Sequence, residues 1–396
     1  MKYQLRPYQK QAADIAVNFF LDRRQDENGL IVLPTGSGKS LVIADIANRV
    51  KQYGPLLILQ PSKEILQQNF AKLQSYGCWD SAIYSASMSS KDINMVTFAT
   101  IGSIMNHLPD FSIFKMVIVD EAHLTNAKGG QYKEFIEATQ RKVIGLTATP
   151  YRLGSYEGGL SVLKFLTRTR PRIFSKVLYY CQISELLEKG YLANLRYFDC
   201  TSLDMKRIKP NSTGADFDER SLLEEYERSK FYDNLTSTVI RVLHPKSGVP
   251  RNGILVFTRF VKEAEVLVKK LKSIGIRAAI ITGETPKKER EQMLSDFKNG
   301  LIKVIANVGV LTTGFDYPAL DTIVMARPTK SLALWYQAVG RIIRPYEGKC
   351  GWVIDLGGSY KRFGAVSDLT IGVEKPNSSR WAVFSNGRQL TNTPFE

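Results

Sequence analysis

At 396 residues the chain is long enough for two domains, with material left for an insertion or a tail. Its 44% hydrophobic and 23% charged residues are those of a soluble globular protein. No apolar run approaches the roughly 18 residues a membrane span needs, and the N-terminus lacks a signal-peptide pattern, so a cytosolic protein is expected. Four scattered cysteines (Cys78, Cys181, Cys200, Cys350), with no CxxC pair among them, argue against a zinc ribbon and a disulfide framework. The net charge of +16 is unevenly spread. Residues 1–150 hold 16 basic and 13 acidic residues, and the remainder holds 38 and 25. Such a surface favours contacts with phosphates.

Four short, almost wholly apolar strands come first, at Leu30–Leu33, Leu56–Leu59, Met116–Val119 and Val143–Leu146. Strands without polar alternation are buried on both faces, which points to a parallel sheet flanked by helices. The same grammar returns at Gly253–Phe257, Ala278–Ile281, Lys303–Ala306, Thr322–Met325 and Trp352–Asp355. The expectation is an α/β chain of two tandem parallel-sheet lobes, spanning 1–165 and 251–360. A connecting segment covers 166–250 and a tail covers 361–396. A basic run from Lys164 to Lys176 straddles the start of the connector and includes Phe165 and Phe174, a pattern that fits a strand-contacting element. Ile183–Lys189 follows as a helical stretch, and Lys206–Asp216 reads as loop.

Directly after the first strand stands Leu33-Pro34-Thr35-Gly36-Ser37-Gly38-Lys39-Ser40, followed by the helical Leu41–Val50. Glycines let backbone N–H groups approach phosphate oxygens, and the helix N-terminus adds positive potential. Pro34, Thr35, Gly36, Ser37 and Gly38 would cradle ATP; Lys39 would reach its β/γ-phosphates, and Ser40 would hold Mg²⁺. Leu33 stands where the strict pattern has its leading glycine. Asp120-Glu121-Ala122-His123 follows Met116–Val119. There Asp120 would face the metal, and Glu121 would polarise the attacking water.

These two motifs resemble those of DEAH-box helicases of superfamily 2, and other motifs of that family fall in order behind them. Leu5-Arg6-Pro7-Tyr8-Gln9 is similar to the N-terminal Q-type motif. By that resemblance Gln9 reads adenine and Arg6 helps to position the nucleotide. Pro61-Ser62-Lys63 and Thr97-Phe98-Ala99-Thr100 resemble motifs Ia and Ic, which implies backbone contacts of a nucleic acid at Pro61, Ser62 and Thr100. Thr147-Ala148-Thr149-Pro150 resembles motif III, which couples ATP to the strand through His123, Thr147 and Thr149. Val256-Phe257-Thr258 resembles motif IV, and Leu311-Thr312-Thr313-Gly314-Phe315-Asp316 resembles motif V. These imply nucleic-acid contacts at Thr258 and Thr312 and ATP contacts at Gly314 and Asp316. Gln337-Ala338-Val339-Gly340-Arg341-Ile342-Ile343-Arg344-Pro345 resembles motif VI, with Gln337, Arg341 and Arg344 in catalysis. Arg341 and Arg344, at i and i+3, are expected on one face of a helix. They would act as arginine fingers that arrive on lobe closure, worth about 10³–10⁵ in rate.

The resemblance covers residues 3–360 and implies two RecA-like lobes with a short C-terminal extension. It is nearest to the bacterial RadD-like branch, which is related to the helicase subunits of type I and III restriction enzymes. The implied activity is a nucleic-acid-stimulated ATPase or helicase that translocates on or unwinds DNA, single-stranded, forked or duplex. RNA is the runner-up substrate, and a non-unwinding ATP-gated clamp is the runner-up activity. A monomer open to protein partners is expected. Many RadD-like proteins carry C-terminal cysteine clusters that bind zinc. This sequence has none, so no zinc-dependent contact carries over.

Overall fold

The central strands of the first half, Gly29–Val32, Leu56–Gln60, Met116–Asp120 and Lys142–Thr147, are short runs rich in β-branched and aliphatic residues and are buried along almost all of their length. In the computed structural model, which describes residues 4–24, 27–138, 141–155, 160–246, 248–312 and 315–395, the elements begin with α1 (Pro7–Leu21), β1 (Gly29–Val32), α2 (Lys39–Val50) and β2 (Leu56–Gln60). Next come α3 (Lys63–Ser75), β3 (Ser81–Ser85), β4 (Ser90–Lys91), β5 (Val96–Thr100) and α4 (Ile101–Ile104). They continue with β6 (Met116–Asp120), α5 (Gln131–Glu137), β7 (Lys142–Thr147), β8 (Tyr151–Ser155), β9 (Ser161–Phe165) and β10 (Lys176–Tyr180). One eight-stranded sheet has the order β10-β1-β7-β6-β2-β5-β3-β4, parallel except at the β3–β4 edge.

The second half runs α6 (Ile183–Glu188), β11 (Leu195–Asp199), α7 (Glu219–Arg228), α8 (Phe231–Leu243), β12 (Ile254–Thr258), α9 (Val261–Ser273) and β13 (Ala278–Ile281). After these come α10 (Lys287–Lys298), β14 (Val304–Val308), β15 (Thr322–Met325), α11 (Leu332–Val339), β16 (Gly351–Asp355) and α12 (Ser359–Phe363). The chain closes with β17 (Leu369–Val373), β18 (Trp381–Ser385), β19 (Arg388–Gln389) and β20 (Pro394–Phe395). A wholly parallel six-stranded sheet has the order β11-β16-β15-β12-β14-β13. Its core joins the β12, β14 and β15 side chains to Tyr226, Phe231, Leu235 and Val239 of the preceding helices. All nine expected strands are present within two residues of their predicted ends, because continuous apolar runs are hidden on both faces in a parallel sheet.

The chain divides into two compact units, and the division corrects the domain limits expected from sequence. The first unit comprises Met1–Arg152, Lys164–Gln182 and Thr370–Phe384; the second comprises Leu153–Leu163, Ile183–Leu369 and Ser385–Glu396. The stretch 166–182 is therefore part of the first sheet's unit, where β10 adds beside β1. Nor is 361–396 a free tail. Its middle packs on the first unit through a paired Gln182 amide, which donates to the Ile371 carbonyl (2.7 Å) and accepts from the Ile371 N–H (3.0 Å). An Arg168–Glu374 ion pair at 3.4 Å and the Tyr180–Trp381 ring contact at 5.2 Å add to it. The basic run from Lys164 is also corrected. Phe165 and Phe174 are core residues, 0% and 1% exposed, and cannot stack on bases. Phe174 lies so close to Gly145 that a Cβ there would sit 2.8 Å from its ring.

Candidate functional site

In a parallel sheet the ligand side is the carboxyl edge of the strands, and the first unit's motifs are distributed along that edge. Reading across β1, β7, β6, β2 and β5, the edge carries the glycine loop, Thr147–Thr149, Asp120–Glu121, Pro61–Ser62 and Thr100.

The loop after β1 is fixed at both ends. The Leu33 N–H donates to the Thr147 carbonyl at 3.0 Å, and Ser37 N–H turns back to the Pro34 carbonyl at 3.1 Å. Gly36 and Gly38 sit at φ +81° and +79°, where a side chain is strained. At Gly38 a Cβ would also meet the Gln9 amide at 2.6 Å. Gln9 is 3% exposed; its Nε2 donates to the Ser37 carbonyl (2.6 Å), and its Oε1 accepts from Arg6 N–H (2.8 Å). Tyr8 OH donates to the same Ser37 carbonyl at 2.7 Å. Gln9 is thus built into the scaffold of the loop. Tyr8, which sequence reasoning quoted without a role, does the same work. Lys39 and Ser40 open α2 and are half-buried.

Asp120 ends β6, buried. One oxygen accepts from Glu121 N–H at 3.0 Å, and the other accepts from the Asn69 amide, also at 3.0 Å. Asn69, on α3, also donates to Gln60 Oε1 at 3.1 Å. Burial pushes the Asp120 carboxyl up to about 7. The Glu121 carboxylate adds to the rise, while Lys39, the Glu121 N–H and the Asn69 amide oppose it. A carboxylate sealed from water in this way is a place where a cation is welcome. Asp120 and Ser40 offer the hard oxygens that suit Mg²⁺, which takes one or two protein ligands and leaves the rest of its shell to water and phosphate. The residues fit the ion.

Glu121 adopts φ +51°, ψ +50°, a conformation costing a non-glycine residue about 1–3 kcal/mol. The turn brings its carboxylate to 3.3 Å from His123 Nδ1. That nitrogen lies 3.0 Å from Thr147 Oγ1, which accepts from Thr149 N–H at 3.0 Å. The three residues expected to couple are therefore joined by hydrogen bonds, with the Glu121 carboxylate in contact at one end. Arg152, another residue without a role at the sequence level, donates to the His123 carbonyl at 2.9 Å. Further along the edge, Ser62 caps α3 by accepting from Ile65 N–H (3.4 Å), and Thr100 Oγ1 lies 2.8 Å from Ser103 Oγ.

On the second sheet Thr258 ends β12, 1% exposed, and its hydroxyl donates to the Asn307 carbonyl at 3.4 Å. Asn307 Oδ1 accepts from Val310 N–H (3.2 Å) and Leu311 N–H (2.9 Å), setting the turn before Thr312. Gly314 lies outside the described residues. The expectation that Arg341 and Arg344 share a helix face is not met. Helix α11 ends at Val339, and Arg341 and Ile342 close it with N–H bonds three residues back. Arg344 precedes Pro345, which disfavours helical geometry. The two arginines converge by another route. Arg341 Nη1 donates to the Phe315 carbonyl at 2.7 Å, and Arg344 forms an ion pair with Asp316. Lys349, absent from the sequence-level candidates, joins the Pro318 carbonyl (2.7 Å) to that of Arg344 (2.8 Å). Gln337 is half-buried on α11, and its carbonyl accepts from Arg341 Nε at 3.4 Å.

Comparison with known proteins agrees with this layout. The model of the type III restriction enzyme res subunit matches residues 2–152, and that of the helicase conserved C-terminal domain matches 235–346. The chain belongs to helicase superfamily 2. A 51.5 kDa protein of a Lactococcus phage (isolate 7-9) is 27% identical over 82% of this superfamily 2 chain and 65% of its own length. The putative ATP-dependent helicase IRC3 of Saccharomyces cerevisiae is 26% identical over 87% of the chain and 50% of its own. The DNA 3'-5' translocase XPB2 of Sulfurisphaera tokodaii is 25% identical over 87% of the chain and 79% of its own. The chain thus spans a half to about two thirds of the first two relatives. Its fold matches a fragment of a putative HsdR subunit of a type I restriction enzyme from Vibrio vulnificus YJ016, with TM-score 0.67, 21% identity, 99% of this chain and 71% of that one. Superfamily 2 membership brings nucleotide use with it. No helix among the described residues is long and apolar enough to cross a membrane.

Proposed function

We propose that this chain is a nucleic-acid-stimulated ATPase that couples ATP hydrolysis to translocation on, or unwinding of, DNA. The observation that carries the reading is the Glu121 carboxylate set against His123, which is hydrogen-bonded to Thr147 and through it to Thr149. It ties the residue best placed to orient a water to the turn after β7, so a change at one end is felt at the other.

In this reading the backbone of Pro34–Gly38 and the α2 N-terminus bind the ATP phosphates, and Lys39 pairs with the β/γ oxygens. Arg6 and Gln9 set the nucleotide's position, Gln9 by shaping the loop. Asp120 and Ser40 would hold Mg²⁺, which when bound neutralises charge on the phosphate oxygens. Glu121 orients the attacking water and takes up its proton on a carboxylate oxygen. Gln337, Gly314 and Asp316 complete the nucleotide-responsive set, and Arg341 and Arg344 supply positive charge to the transferring phosphoryl group. Pro61, Ser62, Thr100 and Thr312 contact the sugar–phosphate backbone, which positions a strand without reading its sequence; Thr258, expected with them, is 1% exposed and bonded to the Asn307 carbonyl, so it supports the strand end from behind. DNA is favoured over RNA by the names of the translocase relative and of the restriction-enzyme family.

The test is the ATP hydrolysis rate with no nucleic acid, single-stranded DNA, duplex DNA and RNA. DNA is expected to raise it most. Equal rates in all four conditions would overturn the reading, and stimulation by RNA alone would move the substrate to RNA.

A further inference from the structure

The helix α3 meets the metal carboxylate by a route that does not pass through His123. Strand β2 lies beside β6, and their parallel register ends at Leu59 opposite Val119. Gln60 and Asp120 are therefore the next residues on neighbouring strand ends. Gln60 is 0% exposed, and the chain after it turns out through half-buried Pro61 and Ser62. Ser62 caps α3 by accepting from Ile65 N–H, and a hydroxyl that accepts still has its proton to give. About two turns along the helix, buried Asn69 comes back to the sheet. Its Nδ2 donates to Gln60 Oε1 at 3.1 Å and to Asp120 Oδ2 at 3.0 Å.

An amide nitrogen carries two N–H groups, and Asn69 spends one on each oxygen. Turned over, the amide would set its own carbonyl oxygen against both acceptors, so its orientation is determined. The bond to Gln60 closes a loop of chain at its base, with Pro61 and Ser62 at the tip. The bond to Asp120 brings the metal carboxylate into the same clasp. A displacement of the tip acts on Gln60 along the chain, and on Asn69 through the helix that Ser62 caps. The Gln60 side chain has a single fastening, because its Nε2 is buried with no partner among the described residues.

We propose that Asn69 is a positioning residue that couples a DNA strand at Pro61–Ser62 to the metal carboxylate Asp120 through its paired bonds to Gln60 and Asp120. The inference rests on the DNA reading above and gives it a second connection between strand and nucleotide. The test is the affinity of the full chain for the Mg²⁺ complex of a fluorescent, non-hydrolysable ATP analogue, with and without saturating oligodeoxythymidine. The ratio of the two affinities is the coupling factor, and linkage requires the same factor in oligonucleotide affinity with and without the analogue complex. The wild-type factor should be about fivefold or more. Asn69→Leu should weaken analogue binding without DNA and lower the factor about threefold or more. Gln60→Leu leaves the Asn69–Asp120 bond in place and removes an unpartnered buried amide, so its Tm should stay near wild type. In this variant analogue affinity without DNA should be unchanged while the factor falls about threefold or more, a split that a merely structural role would not produce. A wild-type factor in Gln60→Leu would overturn the proposal and leave the DNA reading standing, as would a wild-type chain that binds the oligonucleotide with a factor of one. A wild-type chain that binds no oligonucleotide would bring down both.

Discussion

The two sheets share a plan of parallel strands, yet the edges that carry their working groups are built from opposite materials. Along the first edge the polar groups are buried and bonded to one another: Asp120 to Asn69, Asn69 to Gln60, His123 to Thr147, Gln9 to Ser37. Beside the amino ends of the second sheet's strands the working groups are cations steered by backbone carbonyls and one exposed carboxylate, as Arg341 is by Phe315, Arg344 by Asp316 and Lys349 by Pro318. A buried network fixes geometry because each broken bond strands a polar group, at a cost of about 1–3 kcal/mol. A long cation on a carbonyl keeps its charge and can exchange partners. One edge is suited to hold, the other to respond.

Substitutions can break that contrast or sharpen it. Lys39→Ala should abolish ATP hydrolysis; a wild-type rate in a phosphate-release assay would remove the glycine loop from the chemistry. Arg344→Ala should lower kcat by about 10³–10⁵ if the second edge takes part in the chemical step. Hydrolysis at the wild-type rate would confine that edge to binding nucleic acid. Glu121→Gln should cost about 10²–10⁴ in turnover while ATP binding persists, and normal turnover would remove Glu121 from the role of base. Thr147→Val takes away the hydroxyl between His123 and Thr149. It should reduce stimulation by DNA about tenfold, the weight of one hydrogen bond, with the unstimulated rate little altered. Equal loss in both rates would mean that the bonded chain supports the site without transmitting anything.

The smallest effect is read in stability. Glu263 on α9 accepts from Arg259 N–H (2.7 Å) and Phe260 N–H (3.0 Å), yet burial raises its carboxyl to about 7. Between the ordinary glutamic acid range and about pH 7 the folded chain binds more protons at this site than the unfolded chain does. This residue's contribution therefore falls as pH rises through that window and levels off above it. Glu263→Gln should flatten the dependence of Tm on pH between about 4.5 and 7; an unchanged slope would assign it to other groups.

Much of this was legible in the residues themselves. The nine expected strands, the order of the motifs and the glycine loop were all readable, because continuous apolar runs and glycine spacing are local signals. Asn69 was not, since an amide within a helix carries no mark of the carboxylate it will meet 51 residues later. Arg341 and Arg344 were identified, but their setting was misread: spacing suggested a shared helix face, whereas Pro345 and the N–H bonds closing α11 end the helix first. Gln9 was expected to face a base and instead braces the loop, a contact created by packing α1 onto it.

By itself, then, the sequence determined the two parallel sheets and which residues stand at the carboxyl ends of the first. Tertiary structure decided which of those residues touch: Glu121 with His123, His123 with Thr147, Thr147 with Thr149, and Arg344 with Asp316. It also decided that 164–182 and 370–384 join the first unit. Local pattern fixes how a segment folds because its strongest forces act over a few residues. Long-range partners are set by packing, which only the completed fold supplies.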